Sequence, residues 1–181
     1  FNLIMSAKVS NIEISSFLVA LSLKGIAHNE LLSAVEVLRT KCLKVKTKGT
    51  IIDTCGTGGD KKHTLNISTA TAILSAACGV KVAKHGNKSV SSNSGSSEVL
   101  EKLGVNINAP INKVEKCLEN LNLCFLMAPL YHSAMKNVAE VRTKLKVPTI
   151  FNILGPLLNP ANANIQLIGV YSYQWMMPIA K

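Results

Sequence analysis

The sequence predicts an α/β fold, with a small N-terminal helical domain and then a mostly parallel sheet wrapped by helices. Apolar residues recur at helical spacing through the first part of the chain. From Thr50 onward the pattern changes to short apolar runs at 50–54, 80–84, 123–127 and 165–171, separated by helix-length segments. Two of these runs deliver polar, glycine- or serine-rich loops at the strand ends, where open α/β sheets place ligands.

The first helix is expected over Asn11–Leu23, with Ile12, Ile14, Phe17, Leu18 and Leu21 as its apolar stripe and Gly25 ending it. Leu31, Leu32, Val35 and Leu38 form a second stripe, with His28 or Asn29 as its cap. Lys41–Gly49 reads as a lysine-rich connector, dividing a helical domain at 1–45 from an α/β domain at 46–181. Helices are expected at 67–78, 95–103, 111–121 and 130–145. Gly104 and Pro110 punctuate the link between two of them, and the helical domain is expected to regain chain there.

Composition narrows the class. Hydrophobic residues make up 48% and charged residues 17%, a globular balance rather than a disordered one. No apolar run approaches the roughly 20 residues needed to cross a bilayer, so no membrane partner is expected. Twenty Lys and Arg against ten Asp and Glu give +10. The lysines are scattered without an aromatic-interleaved ribbon, so a nucleic-acid partner is not favoured over an anionic small substrate. Cys42, Cys55, Cys78, Cys117 and Cys124 show no CxxC spacing and are odd in number, which reads as buried reduced thiols in a cytoplasmic protein. The chain opens on Phe1 rather than Met, so its true N-terminus is expected upstream.

The central stretch runs from Asp53 to Leu103. Gly56-Thr57-Gly58-Gly59-Asp60 follows the first apolar run, and Thr64, Asn66, Ser68 and Thr69 open an alanine-rich helix. Glycines let backbone amides approach a ligand, and a helix N-terminus favours an anion, usually phosphate. The second run leads into Lys84-His85-Gly86-Asn87-Lys88 and a serine-rich loop. Two such loops in series point to one anion site, although each alone also fits an ordinary capped turn.

In order along the chain, GTGGD at Gly56–Asp60, NIST at Asn66–Thr69, KHGNK at Lys84–Lys88 and SSNSGSSEVLEKLG at Ser91–Gly104 resemble the motifs of the anthranilate phosphoribosyltransferases. So do APLYHSAMKNVAEVR at Ala128–Arg142 and TIFNILGPLLNP at Thr149–Pro160. The resemblance implies the nucleoside phosphorylase/phosphoribosyltransferase type of fold and a Mg²⁺-dependent pentosyl transfer. The 5-phosphoribosyl group would pass from phosphoribosyl pyrophosphate to the amine of anthranilate, towards tryptophan, in a cytoplasmic homodimer built on the helical domain.

The same resemblance implies residues. For phosphoribosyl pyrophosphate they are Gly56, Gly59, Asp60, Thr64, Asn66, Ile67, Ser68 and Thr69 in the first half of the stretch. Lys84, His85, Gly86, Asn87, Lys88, Ser89, Val90, Ser91, Ser92 and Ser96 complete that set. Ser68 is the implied Mg²⁺ ligand. Asp60, an acid in a phosphate loop, is assigned to ribose or metal-bound water. For anthranilate they are Gly56, Asn87 and Arg142, with Ala128, His132 and Pro156 lining the aromatic slot. Arg142 follows the helix at 130–141 and offers the planar fork a carboxylate prefers, while a surface arginine at a helix C-terminus is the plainer reading. No catalytic side chain is assigned; His85 and His132 are each open as a base or as packed histidines.

The chain departs from the family where Lys88 stands for Arg, Ser97-Glu98 for Ala-Asp, and Lys146 and Pro148 for the usual glycine and arginine. The family's paired acidic Mg²⁺ ligands would follow Lys181, so this stretch is expected to be catalytically incomplete, both domains being truncated. A pyrimidine nucleoside phosphorylase of the same fold, and a nucleic-acid-binding relative that has lost catalysis, are the competing classes.

Overall fold

The computed structural model describes residues 1–59, 65–88 and 95–181. Four strands form one all-parallel sheet in the order β3-β2-β1-β4: β1 Ile52–Asp53, β2 Val82–Gly86, β3 Leu123–Met127 and β4 Ile165–Gln166. Helices α4 (Ile67–Ala77), α5 (Ser96–Lys102) and α6 (Ile111–Leu121) fall between strands. Ala72 and Ala76, one turn apart on α4, let it lie close on Val82 of β2. Asn122, in the left-handed region at φ 55°, ends α6 and turns the chain directly into β3.

The outer strands are shorter than expected. β1 and β4 hold two residues each, yet their pairing runs on irregularly: Leu167 N donates to Asp53 O (2.9 Å) and Thr57 N to Gly169 O (2.9 Å). β2 begins and ends two residues later than the apolar run suggests, because Lys84 and His85 are buried within it rather than starting a loop.

The long helix expected at 130–145 is broken. Ala128–Tyr131 forms α7, Ser133–Met135 a single 3₁₀ turn, and Lys136–Leu145 forms α8. His132 at φ −116°, ψ 61° is the break, and it turns a buried ring inward. Lys146 then ends α8 at φ 54°, a left-handed position that explains why glycine is usual there.

The N-terminal helices are α1 (Asn2–Met5), α2 (Asn11–Lys24) and α3 (His28–Thr40). Ser10 and Glu13 cap α2 reciprocally. α3 is capped from inside: Glu30 Oε2 accepts the Ala27 amide (2.9 Å), so neither His28 nor Asn29 serves as the cap. Ile14, Leu18, Leu21, Leu31 and Leu38 are buried, whereas Ile12, Phe17 and Leu32 of the expected stripes face out. Their core is completed by Val138 and Val141 of α8 and by Ile150–Leu158, not by the region after Gly104. α6 instead packs Val114 and Leu118 into the sheet core with Ala83, Cys124 and Leu126. Lys41–Gly49 is stitched down, Leu43 N to Tyr131 O (2.9 Å) and Val45 N to Pro160 O (3.1 Å). All five cysteines are free; Cys55 and Cys124 are buried, but Cys78 at the end of α4 and Cys117 on α6 are exposed, against expectation.

Gly86 marks a tight approach of β2 to β3. A Cβ there would lie 2.6 Å from Phe125 Cε2. Gly86→Ala is expected to lower stability by about 1–3 kcal/mol in urea unfolding. Phe125→Leu in the same chain should recover part of that loss, and purely additive effects would disprove the contact as the cause.

Candidate functional site

Asp53 closes β1 and is fully buried. Its Oδ1 accepts the backbone amides of Cys55 (3.0 Å) and His85 (3.1 Å), and its Oδ2 accepts Asn159 Nδ2 (2.7 Å). Asn159 also donates to Ala83 O (2.8 Å) and accepts the Ala161 amide (2.8 Å). One carboxylate therefore ties the Gly56 loop, the Lys84–Lys88 segment and the Thr149–Pro160 segment together. Burial raises its pKa, while the Asn159, His85 and Cys55 hydrogen bonds and the Lys84 charge oppose that rise.

Ile52 pairs with Val82, so successive β2 side chains serve opposite faces. Lys84 is buried on the α4 side and donates from Nζ to Ser68 Oγ (3.2 Å). Desolvation lowers its pKa, opposed by Cys55 and Asp53. Thr54 Oγ1 donates to Ser68 O (2.7 Å), and Thr69 Oγ1 to Ser96 Oγ (2.9 Å), which joins the openings of α4 and α5. Gly56 lies against Gly169, whose carbonyl oxygen would be 2.9 Å from an added Cβ, and Gly58 and Gly59 have φ of 65° and 78°. This segment requires glycine for its backbone path.

On the opposite face, His85 Nδ1 lies 2.9 Å from Gly155 O. A carbonyl only accepts, so Nδ1 carries the proton and Nε2 is a lone pair. The His132 ring lies 5.3 Å from the His85 ring, and His132 Nε2 is 3.9 Å from Cys42 Sγ. Among the described residues, His85 Nε2 and His132 Nδ1 are buried without a hydrogen-bond partner, while the Leu158 carbonyl supports the protonated form of the His132 ring. Desolvation takes His85 down to about 3, helped by His132, and His132 down to about 4. Both rings are therefore neutral at physiological pH.

Arg142 sits inside α8 rather than beyond a helix end, half-buried, its guanidinium 5.7 Å from the Phe151 ring centroid. Among the described residues no carboxylate lies within ion-pair distance of it, so it matches neither a paired nor a fully exposed arginine. Asn87 and Lys88 are exposed; Asn87 Oδ1 accepts the Lys88 amide (2.8 Å), and Asn87 O accepts Ser97 Oγ (3.3 Å). Asn66 and Ile67 open α4, and Pro156 is buried in the 3₁₀ turn Gly155–Leu158. Asp60, Thr64, Ser89, Val90, Ser91 and Ser92 lie outside the described residues. Ser68 offers one neutral oxygen, which fits Mg²⁺ held chiefly by water and ligand oxygens.

Sequence reasoning missed Asp53 and Asn159. The signal for Asp53 was an acid ending an apolar run, which has to be buried and satisfied. Asn159 carried no comparable signal.

The buried neutral histidines set a pH dependence. Their folded pKa values lie below the unfolded 6.5, so the stability from keeping them neutral is full above pH 6.5 and lost as pH falls towards 4. Each ring is expected to cost a few kcal/mol over that window. His132→Gln should flatten the fall in urea midpoint between pH 7 and 4; an unchanged slope would count against a buried neutral His132.

Comparison with known proteins agrees with this arrangement. Residues 1–42 match the model of the glycosyl transferase family helical bundle domain, and residues 48–181 that of the glycosyl transferase family a/b domain. The chain is 53% identical over 179 residues to an anthranilate phosphoribosyltransferase of Clostridium kluyveri, covering 98% of this chain and 53% of that protein. Against that of Petrotoga mobilis it is 50% identical, covering 99% and 52%. The chain thus spans about half the length of the curated relatives it matches. The crystal structure of the Thermus thermophilus anthranilate phosphoribosyltransferase superposes with a TM-score of 0.94 at 42% identity, covering 99% of this chain and 55% of that one. The Saccharomyces cerevisiae enzyme in complex with PRPP and Mg gives 0.86 at 35%, covering 94% and 48%. With both of its domain models matched in order across nearly every residue, the chain belongs to the glycosyl transferase family.

Proposed function

We propose that this chain is the substrate-binding part of an anthranilate phosphoribosyltransferase. It would serve transfer of 5-phosphoribosyl from phosphoribosyl pyrophosphate to the anthranilate amine, with release of pyrophosphate, in tryptophan biosynthesis. The observation that carries the reading is the Asp53 clamp, which holds the Gly56 loop and the Lys84–Lys88 segment side by side. The relatives' names and the neighbour solved with PRPP and Mg support it.

In this reading the amides of Gly56 to Gly59 and the opening of α4 hold the diphosphate, with Lys84 as its buried cation. A phosphate oxygen takes over the Lys84 ammonium from Ser68 Oγ, which frees that hydroxyl. Bound Mg²⁺ would neutralise charge on the departing pyrophosphate, with Ser68 as one ligand. The C1–O bond breaks, its electron pair leaves with pyrophosphate, and the neutral aryl amine supplies the pair for the new C1–N bond. The nitrogen then gives up one proton to the departing pyrophosphate or to solvent. Little covalent work falls to the protein; positioning dominates.

Arg142 meets the anthranilate carboxylate with its fork, its own plane braced by Phe151. The His85 and His132 rings, 5.3 Å apart and neutral, line the acceptor side without placing a charge there. Imidazoles held at about 3 and 4 keep a proton poorly, so neither ring stores the amine's proton.

No helix among the described residues is long and apolar enough to cross a membrane, which is compatible with a cytoplasmic enzyme. On α2, Ile12 and Leu23 are 80% and 84% exposed and share a face with Val19. That surface suits a second copy, in a homodimer built on the helical bundle.

The test uses the gene's full product and follows loss of anthranilate fluorescence with phosphoribosyl pyrophosphate and Mg²⁺. Arg142→Ala is expected to raise KM for anthranilate at least about tenfold, a loss of about 1.4 kcal/mol, with KM for phosphoribosyl pyrophosphate nearly unchanged. Equal losses for both substrates would remove Arg142 from the acceptor site. Absence of turnover in the unmodified protein would remove the reaction.

A further inference from the structure

Among the described residues, Asp53, Cys55 and His85 form one buried group whose donor atoms all lie within 4.8 Å of one another. The reaction proposed above makes no use of the Cys55 thiol. Asp53 and His85 share one sheet face, since Ile52 pairs with Val82 and Asp53 therefore stands beside Ala83, two residues before His85.

The outer support that metal ligands need is already built. His85 donates Nδ1–H to Gly155 O, the usual brace for a ligating imidazole, and Nε2 is the ring atom with capacity to spare. His85 is only 3% exposed, so this unpartnered nitrogen is withheld from solvent. Asp53 is oriented by two amides on Oδ1 and by Asn159 on Oδ2, and Oδ2 keeps a second lone pair. Among the described residues, Cys55 Sγ makes only a long 3.6 Å contact to its neighbour Gly56 O.

We propose that Asp53, Cys55 and His85 form a binding site for a thiophilic divalent cation of the Zn²⁺ class, with a fourth position open. Carboxylate and thiolate together cancel the charge of the ion, so a neutral unit occupies the buried space. The Cys55 thiol loses its proton to solvent as the S–metal bond forms, and its electron pair becomes the ligand. Borderline-soft ions of this class accept one sulfur, one nitrogen and one oxygen at tetrahedral distances. Mg²⁺, a hard ion that seeks six oxygens, does not suit the set, so this site is separate in chemistry from the Mg²⁺ proposed at Ser68.

The test is an anaerobic Co²⁺ titration of the reduced, metal-free full product. One equivalent is expected to give a thiolate-to-cobalt charge-transfer band and four-coordinate visible bands, displaced by Zn²⁺ and untouched by excess Mg²⁺. Cys55→Val should abolish the charge-transfer band, while Cys42→Ser, Cys78→Ser and Cys117→Ser together should leave it. A band that survives Cys55→Val, or no band at all, overturns the proposal. X-ray absorption of the unmodified Zn²⁺-loaded protein provides a readout independent of any variant. One sulfur at about 2.3 Å with lighter neighbours is expected, and a shell without sulfur refutes the site.

Discussion

A carboxylate with no exposure to water is costly unless every lone pair it turns to the protein meets a donor. Asp53 meets that demand with two backbone amides and an asparagine, and the geometry of this compensation sets the site. The Cys55 and His85 amides can both reach Oδ1 only if the ends of β1 and β2 deliver their loops side by side. Asn159 must then come within 2.7 Å of Oδ2, and it brings the whole Thr149–Pro160 segment with it. Removing the acid would leave several buried donors unpaired at once, so the clamp acts as one unit.

That third segment couples the two halves of the molecule. Ile150, Phe151, Ile153, Leu154 and Leu158 lie in the core made by the N-terminal helices and α8. The same segment supplies Gly155 O to His85 and the Phe151 face to Arg142. The helical bundle therefore reaches the site through a packed strap rather than through a side chain of its own. A sub-ångström shift in α2 or α3 packing would be felt at the histidine ring, since close-packed interiors transmit strain.

Much of this was legible from periodicity and punctuation. β3, α4 and α6 fall where apolar spacing puts them, and the parallel sheet follows from the alternation. The loops carrying Gly56 and Lys84 announce themselves by composition. What could not be read are relations between distant residues: Asn159 meets Asp53 across 106 positions, and Phe125 dictates that Gly86 lack a side chain. Local pattern also failed where tertiary demand overrode it. Val138 and Val141 continue a helical pattern, yet His132 breaks the helix because its ring is buried beside His85. The cap of α3 was not legible either, because Glu30, inside the helix, outcompetes His28 and Asn29 for the role.

The strong positive charge of the chain and the charge of the site are different matters. Lys84 is the one lysine buried among the described residues; the others stay in contact with water. Lys84 and Asp53 project to opposite faces of the sheet from adjacent strands, each opposing the burial shift of the other's pKa. The face under α4 therefore presents a cation and hydroxyls, whereas the opposite face holds two neutral histidines and the hydrogen-bonded Asp53 carboxylate. The surface lysines can draw anions inward by their long-range field. The backbone at the ends of β1 and β2 is fixed by one buried acid, so the polar groups of the two faces keep one relative placement.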